Sequence, residues 1–522
     1  MQHATFPPTL SGVFDVTVDH FQFADARRFG LRYLGYSAFA KGPTAPVLFY
    51  CGNEGAIELF YNATGALFEH ASALGAHAFF IEHRYYGTST PFGPNASFTP
   101  EGLRFLTIEQ ALADYSEVIL SLPRILGCSG TGARATAGRC DVVLFGGSYG
   151  GMLAAWHRLK SPFLSVGAIA SGAPIDFYSG DGVQGRFLDA VTYTFDKYGG
   201  HAECKQAFTA ALTAADAASN EDLEAAGVRP CQPFESDSAE RYAFYARGAL
   251  ASLALADYPY AANFIAPLPA NPVQAACAAL LATLPNVAEA EASGWAARAG
   301  RGRADAVPSA RVPALAALHR AVLGLVNASC ELRCVDLGAE LVGRVPSRGP
   351  SPRGGQGLDR GVDASRTSAA SAPGDSPLPR ALEDSALGVT AWNYQACTEL
   401  LLEPLTSDGF GFYPPSEAQL DKTIAICRDR FGVEPRPRWP ITAFGRGADF
   451  AFASNLVFVE NDKDPWHVGT ETVTNSSSVT RVLAEGGAHH QDLRSSSPLD
   501  APGVVRARAY ERETMRQWLA PA

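Results

Sequence analysis

Asp141-Val142-Val143-Leu144-Phe145-Gly146-Gly147-Ser148-Tyr149-Gly150-Gly151-Met152-Leu153-Ala154-Ala155-Trp156 is the stretch whose reading decides the fold. It opens on β-formers, crowds glycine at its centre, and runs on for eleven residues without proline, so strand, tight turn and helix are predicted in that order. Gly146-Gly147-Ser148-Tyr149-Gly150 fits G-x-S-x-G. Glycines two before and two after the serine let strand and helix approach closely while the hydroxyl is held at the apex, placed to attack. Chance produces this pattern readily in an Ala/Gly-rich chain, so the flanking strand and helix carry the reading.

Working outward, Pro46-Val47-Leu48-Phe49-Tyr50-Cys51 and His77-Ala78-Phe79-Phe80-Ile81-Glu82 are continuous apolar runs, as expected of strands buried on both faces. The first empties into Gly52-Asn53-Glu54-Gly55, which is either an ordinary tight turn or a loop offering backbone N–H groups to an oxyanion together with the N–H of Tyr149. Leu106 to Leu122 has helical spacing with Thr107 placed to cap it, and Val166-Gly167-Ala168-Ile169-Ala170-Ser171 is another strand. Residues 12 to 35 alternate around Phe14, Val16, Val18, Phe21 and Phe23, which predicts an opening antiparallel ribbon. Strand and helix alternation of this kind argues a parallel sheet with helices on both faces.

From about 180 the chain turns to Ala/Leu-rich segments at helical period, at 205–218, 239–255 and 272–284, read as an inserted helical domain. Residues 338–388 are rich in Gly, Pro, Ser and Arg, too poor in large apolar side chains for a core, and are read as a disordered insertion. Strands return at 455–459 and 479–484, and an amphipathic helix closes the chain from about 502 to 519. The expected organisation is a first sheet-bearing part at 1–178, a helical cap at 179–337, the insertion, and a second sheet-bearing part at 389–522.

Forty-two Lys and Arg against 53 Asp and Glu leave a net charge of −11 without long runs of one sign, which argues against a nucleic-acid partner. No window approaches a membrane span, and Met1 to Leu10 lacks the charged and apolar regions of a signal peptide. Yet ten cysteines and the sequons at Asn62, Asn95, Asn327 and Asn475 point to an oxidising secretory route, so a chain lacking its leader is expected. No cysteine spacing suits zinc, with Cys330 and Cys334 an isolated pair, and neither metal nor cofactor is expected.

A serine hydroxyl needs a base to take its proton, and an imidazole serves best when a carboxylate fixes its tautomer. The chain holds Ser148, Asp464 and His489 in that order, each just past a predicted strand, which is the order of α/β-hydrolases. Asp462 competes with Asp464 for the acid, and His490 and His467 compete with His489 for the base; the residues alone leave this open. Trp466 offers either a flat wall for a ring-shaped substrate side chain or an ordinary core tryptophan.

A set of motifs then resembles the prolyl-specific serine peptidase family of lysosomal Pro-X carboxypeptidase and dipeptidyl peptidase II. They are Gly52-Asn53-Glu54-Gly55, Glu82 to Gly87, Pro91-Phe92-Gly93, Glu109 to Asp114, Gly146 to Trp156, Asp257-Tyr258-Pro259-Tyr260, Tyr394 to Glu399, Asp464-Pro465-Trp466, Gly487 to His490 and Asp492-Leu493-Arg494. The resemblance runs from about Phe14 to Trp518 outside the 338–388 insertion. It implies an α/β-hydrolase fold with an inserted helical cap domain and a cleft between them that cuts peptides after proline near one terminus.

By that resemblance Ser148 is the nucleophile, Asp464 the acid and His489 the base, with Arg494 supporting the histidine loop, while Tyr149, Gly52 and Asn53 form the oxyanion hole. Glu54, Met152 and Trp466 are the expected substrate-binding residues, Glu54 as the partner of a terminal amine. Disulfides are implied for Cys397–Cys427, Cys204–Cys277 and Cys231–Cys334, with a short loop closed by Cys128 and Cys140 and a buried free thiol at Cys51. A lysosomal, vacuolar or secreted setting follows, with peptide partners and a homodimer left open. The segments around Cys231, Asp257 and Pro267 lean towards release of N-terminal X-Pro or X-Ala dipeptides; carboxy-terminal Pro-X cleavage, an esterase and a non-catalytic binding module are the alternatives. The chain departs from the family pattern around the acid, at Val459-Glu460-Asn461 and His467-Val468-Gly469, which touches substrate fit.

Overall fold

Residues 6–178, 183–264, 267–284, 308–326, 334, 335, 337, 389–401, 411–413 and 420–520 are described by a computed structural model; the expected insertion at 338–388 lies outside them. Strands β1 (Leu10–Thr17) and β2 (Arg28–Tyr36) form the opening antiparallel ribbon, with Val16 opposite Phe29 and Phe14 opposite Leu31. The apolar runs become β3 (Val47–Tyr50), β4 (His77–Ile81), β5 (Val142–Gly147) and β6 (Gly167–Ser171), every residue of which is buried. A short antiparallel pair follows, β7 (Ala262–Asn263) and β8 (Pro267–Leu268), then β9 (Leu456–Asn461) and β10 (Val479–Ala484).

Eight of these strands make one sheet in the order β1-β2-β4-β3-β5-β6-β9-β10. From β4 to β10 all pairings are parallel, and only β1 and β2 run against their neighbours. The period of two divides the strands between two cores. Val47, Phe49, Val142 and Leu144 face one; Leu48, Tyr50, Val143 and Phe145 face the other. Burying each large apolar side chain contributes about 1.5–3 kcal/mol, against about 1–2 kcal/mol to order each backbone unit. A strand covered on both faces is therefore stable at only four residues.

Among the helices on the sheet, Ile108–Leu126 starts where Thr107 Oγ1 accepts from Gln110 N at 3.2 Å and stops at Gly127, whose φ of 66° carries the chain out left-handed. Between β6 and β9 lies a helical layer containing Val183–Tyr198, Cys204–Asp216, Ser238–Leu255, Pro272–Leu281 and Pro308–Val326. The disulfides Cys204–Cys277 and Cys231–Cys334 lie within it. The β7–β8 pair inside this stretch was invisible to periodicity because two residues per strand give no period to read. Further on, Phe412 packs its ring against Phe195 and Phe208 of the layer, at 5.3 and 5.8 Å. A mostly parallel sheet with a strand-to-helix elbow after β5 and helices inserted after β6 is the α/β-hydrolase fold.

Candidate active site

Ser148 stands between the end of β5 and the helix Tyr149–Lys160 with φ 55° and ψ −128°, a conformation that β-carbon-bearing residues rarely adopt. Packing enforces it. A Cβ at Gly146 would overlap the carbonyl of Gly150, and one at Gly150 would overlap Asn53 Oδ1, so both outer glycines of the motif are required by contact. The backbone N–H of Ser148 donates to Ser171 O at 2.9 Å, which ties the elbow to the end of β6.

The next residue, Gly172, lies against the acid and the imidazole: a Cβ there would stand 3.0 Å from Asp464 Oδ2 and 3.2 Å from His489 Nδ1. These two atoms are themselves 2.6 Å apart, with both side chains buried. Asp464 lies in the loop after β9 and His489 in the loop after β10, so the carboxyl ends of the parallel strands β5, β9 and β10, with β6 between the first two, carry serine, acid and imidazole at one edge of the sheet. The competing residues go elsewhere. Asp462 accepts from Tyr198 OH at 2.6 Å and from Gly486 N at 2.5 Å, and the His467 ring donates from Nδ1 to the Asp464 carbonyl at 2.6 Å. His490 turns its ring onto Gly147 and Phe264, and burial, then His489 and Arg494, hold its pKa well below the usual histidine range.

On the other side of the elbow, Gly52 presses against the end of β4, leaving 2.6 Å from a Cβ position to His83 N and Ile81 O. Asn53 donates from Nδ2 to Gly147 O at 2.7 Å. Tyr149, as the first residue of its helix, has a backbone N–H with no acceptor four residues earlier. Glu54 is half-buried; burial pushes its carboxyl up, against the smaller opposite pulls of its own backbone N–H, the Asn53 amide and the charge of His489. Met152 is buried one turn past the serine, its N–H donating to Ser148 O at 3.0 Å. Trp466 is half-buried between Phe177 at 4.9 Å and Phe187 at 4.6 Å, and Phe187 belongs to the helical layer. Arg494 lies 4.4 Å from both the Tyr258 and the Phe264 rings and donates to Tyr258 OH at 3.0 Å.

Several participants carry no signal in single-residue reading. Burial holds His83 at a pKa of about 4; its Nδ1–H donates to Arg84 O at 2.7 Å, leaving Nε2 to accept from Tyr149 OH at 3.0 Å. Tyr149 OH accepts in turn from Gln395 Nε2 at 3.0 Å, while Trp392 meets the same ring edge-on at 5.4 Å. The residue after the serine is thus fixed by a histidine from the loop after β4 and by a helix, Val389–Thr398, some 240 positions downstream. Among the described residues no group of three or more side chains could hold a metal, and no helix is long and apolar enough to cross a membrane. Four disulfides close at the expected cysteines, including Cys128–Cys140 and Cys397–Cys427, and Cys51 is a buried free thiol.

The model of the family described as serine carboxypeptidase S28 matches residues 16–301 and 370–511. The chain belongs to the serine carboxypeptidase S28 family. Human lysosomal Pro-X carboxypeptidase is 32% identical to this S28 chain over 510 residues, covering 97% of it and 87% of the human protein. The human thymus-specific serine protease is 27% identical over 535 residues, covering 97% and 87% respectively. A proline iminopeptidase of Mycobacterium smegmatis aligns over 97% of this chain and 99% of its own at 11% identity and a TM-score of 0.35, too low to carry an argument. As an S28 member the chain is a serine peptidase.

Proposed function

We propose that this peptidase cuts after proline near one end of a peptide, with Ser148 as nucleophile, His489 as general base and Asp464 as its partner. The observation that carries the reading is the 2.6 Å bond from His489 Nδ1 to Asp464 Oδ2, whose two atoms lie against Gly172, the neighbour of the Ser171 that accepts the Ser148 N–H. In this mechanism Ser148 Oγ attacks the prolyl carbonyl as its proton passes to His489 Nε2, and Asp464 stabilises the imidazolium. The oxyanion is held by Tyr149 N–H with the Gly52–Asn53 loop. His489 protonates the leaving amine, and water then hydrolyses the acyl-enzyme by the same path. Trp466 and Met152 wall the proline ring, and Arg494 supports the histidine loop.

Carboxy-terminal Pro-X release is the reading we favour, supported by relatives of that printed activity at 32% identity over nearly the whole chain. Release of N-terminal dipeptides is the second reading. Glu54 favours it, because a carboxyl next to Asn53 in the loop after β3, 3.4 Å from the Asn53 amide, suits a terminal ammonium. The lysosomal relatives and the disulfides support a lysosomal or secreted setting.

A fluorophosphonate probe is expected to label the wild type and not Ser148→Ala. An unlabelled wild type of native fold would overturn the mechanism. Offering one sample a peptide ending Pro-Phe and an X-Pro-coupled fluorogenic dipeptide separates the two modes of cleavage.

A further inference from the structure

The loop carrying Asp464 is gripped from outside the sheet. Each polar group of its neighbour Lys463 is taken by a different part of the fold: its N–H donates to Gly487 O at 2.9 Å and its carbonyl accepts from Thr194 Oγ1 at 3.0 Å. Its ammonium reaches into the helical layer, 2.9 Å from Asp257 Oδ2 and 3.2 Å from Asp257 O, over the Tyr198 ring at 4.8 Å. Both charges are buried, with side-chain exposures of 9% for Lys463 and 1% for Asp257.

Asp257 is fixed in turn. Its second oxygen, Oδ1, accepts from Val273 N at 3.0 Å in the first turn of Pro272–Leu281. Its neighbours hold the imidazole loop: Leu255 O accepts from His489 N at 3.0 Å, and Tyr258 OH donates to His489 O at 2.9 Å. One turn of the helical layer, 255–258, is therefore bonded to both the acid's loop and the base's loop. By contrast, among the described residues, the hydrogen bonds of Asp464 besides that to His489 are all local: Trp466 N donates to its Oδ1 and its own N–H donates to Asn461 O, both at 3.0 Å, and its carbonyl accepts from His467 N at 3.0 Å and His467 Nδ1 at 2.6 Å.

A buried ion pair is a poor source of adhesion, since desolvating each ion costs several kcal/mol, whereas it constrains direction in a way apolar contact does not. We propose that the Lys463–Asp257 pair is a positioning device for the relay, holding loop 462–464 so that Asp464 Oδ2 stays on His489 Nδ1. Lys463 and Asp257 are positioning residues because they act through Asp464, and the docking of the helical layer thereby sets catalytic competence. This rests on the proposed roles of Ser148, Asp464 and His489.

The test uses full-length Asp257→Asn, Lys463→Met and the double variant, each assayed below its melting midpoint. The readouts are kcat and KM on a cleaved peptide and the downfield proton resonance of His489 Nδ1–H, assigned by its loss in His489→Asn. Each single variant is expected to lower kcat about tenfold or more with KM changed less than about twofold, and to move or broaden the resonance. The double variant is expected to be no worse than the poorer single, because the two residues act as one unit. A lower melting midpoint with kcat and resonance unchanged would overturn the proposal, reducing the pair to a docking contact. Should Asp257→Asn fail to fold, Lys463→Met, which leaves no buried ammonium unpaired, carries the same comparison. A wild type without turnover, whose resonance the variants still displace, would sink the peptidase reading and leave the positioning role standing.

Discussion

Asn53 donates its side-chain amide to the carbonyl of Gly147 across 2.7 Å, so the loop after β3 is fastened to the residue just before the nucleophile. Asn53 is 2% exposed, and water is poorly placed to replace the bond. Removing it leaves a buried carbonyl without that donor, a loss of about 1–3 kcal/mol, and frees the loop assigned to the oxyanion. Asn53→Ala is expected to lower kcat about tenfold or more while KM moves little, as steady-state kinetics will show. An unchanged kcat would detach this loop from catalysis.

Trp466 bridges the two layers through Phe177 and Phe187. Trp466→Ala is expected to raise KM for a proline substrate about tenfold, with Trp466→Phe recovering most of the loss because it keeps a flat apolar face. Equal KM values for proline and bulky non-proline substrates in the wild type would remove the case for a ring-binding wall.

Stability should be greatest in mild acid. Burial raises Glu399 to about 8 and pushes Glu460, Asp492 and Glu511 upwards from ordinary values of 3.8 for Asp and 4.5 for Glu. These groups favour the fold while protonated, so their contribution is full below the unfolded values and is lost as pH rises through the folded ones. Burial lowers His70 to about 3 and His83 and His157 to about 4, from 6.5. Their contribution is full above 6.5 and is lost as pH falls. The two trends oppose each other between 4.5 and 6.5, and only the carboxyl trend remains above 6.5. Thermal melts across pH are expected to show a broad maximum in that interval and a falling midpoint above it. A midpoint that climbs above 6.5 would contradict the buried-carboxyl account.

The Cys204–Cys277 bridge spans 73 residues of the helical layer. Cross-linking a loop of that length restricts the unfolded chain by about 4 kcal/mol, so a Cys204→Ser/Cys277→Ser variant is expected to unfold at markedly lower denaturant. Equilibrium unfolding followed by fluorescence checks this, and an unshifted midpoint would sink it.

Much of the fold was legible because its signals are local. The runs at 47–50, 77–81 and 142–147 declare strands buried on both faces, and Thr107 with Gly127 brackets a helix. The β7–β8 pair was not legible, being too short to have a period, and Gln395 was legible only as part of a family motif. Its hydrogen bond to Tyr149 OH joins residues 246 positions apart, and no spacing rule reaches that far.

The sequence by itself determined the elbow at Ser148, because a strand-forming run followed by glycines, which have no Cβ to clash, permits strand and helix to approach across so tight a turn, and it determined the order serine, acid, histidine along the chain. Only the tertiary structure decided which carboxylate meets which imidazole. Asp462 and Asp464 are the same carboxylate, and His467, His489 and His490 the same imidazole, in the chain, and they part company when β9 and β10 pair in parallel and set one loop beside the other. The burial of Lys463 against Asp257 was decided the same way, since a charge in a loop reads as solvated until a folded layer closes over it and supplies the opposite charge.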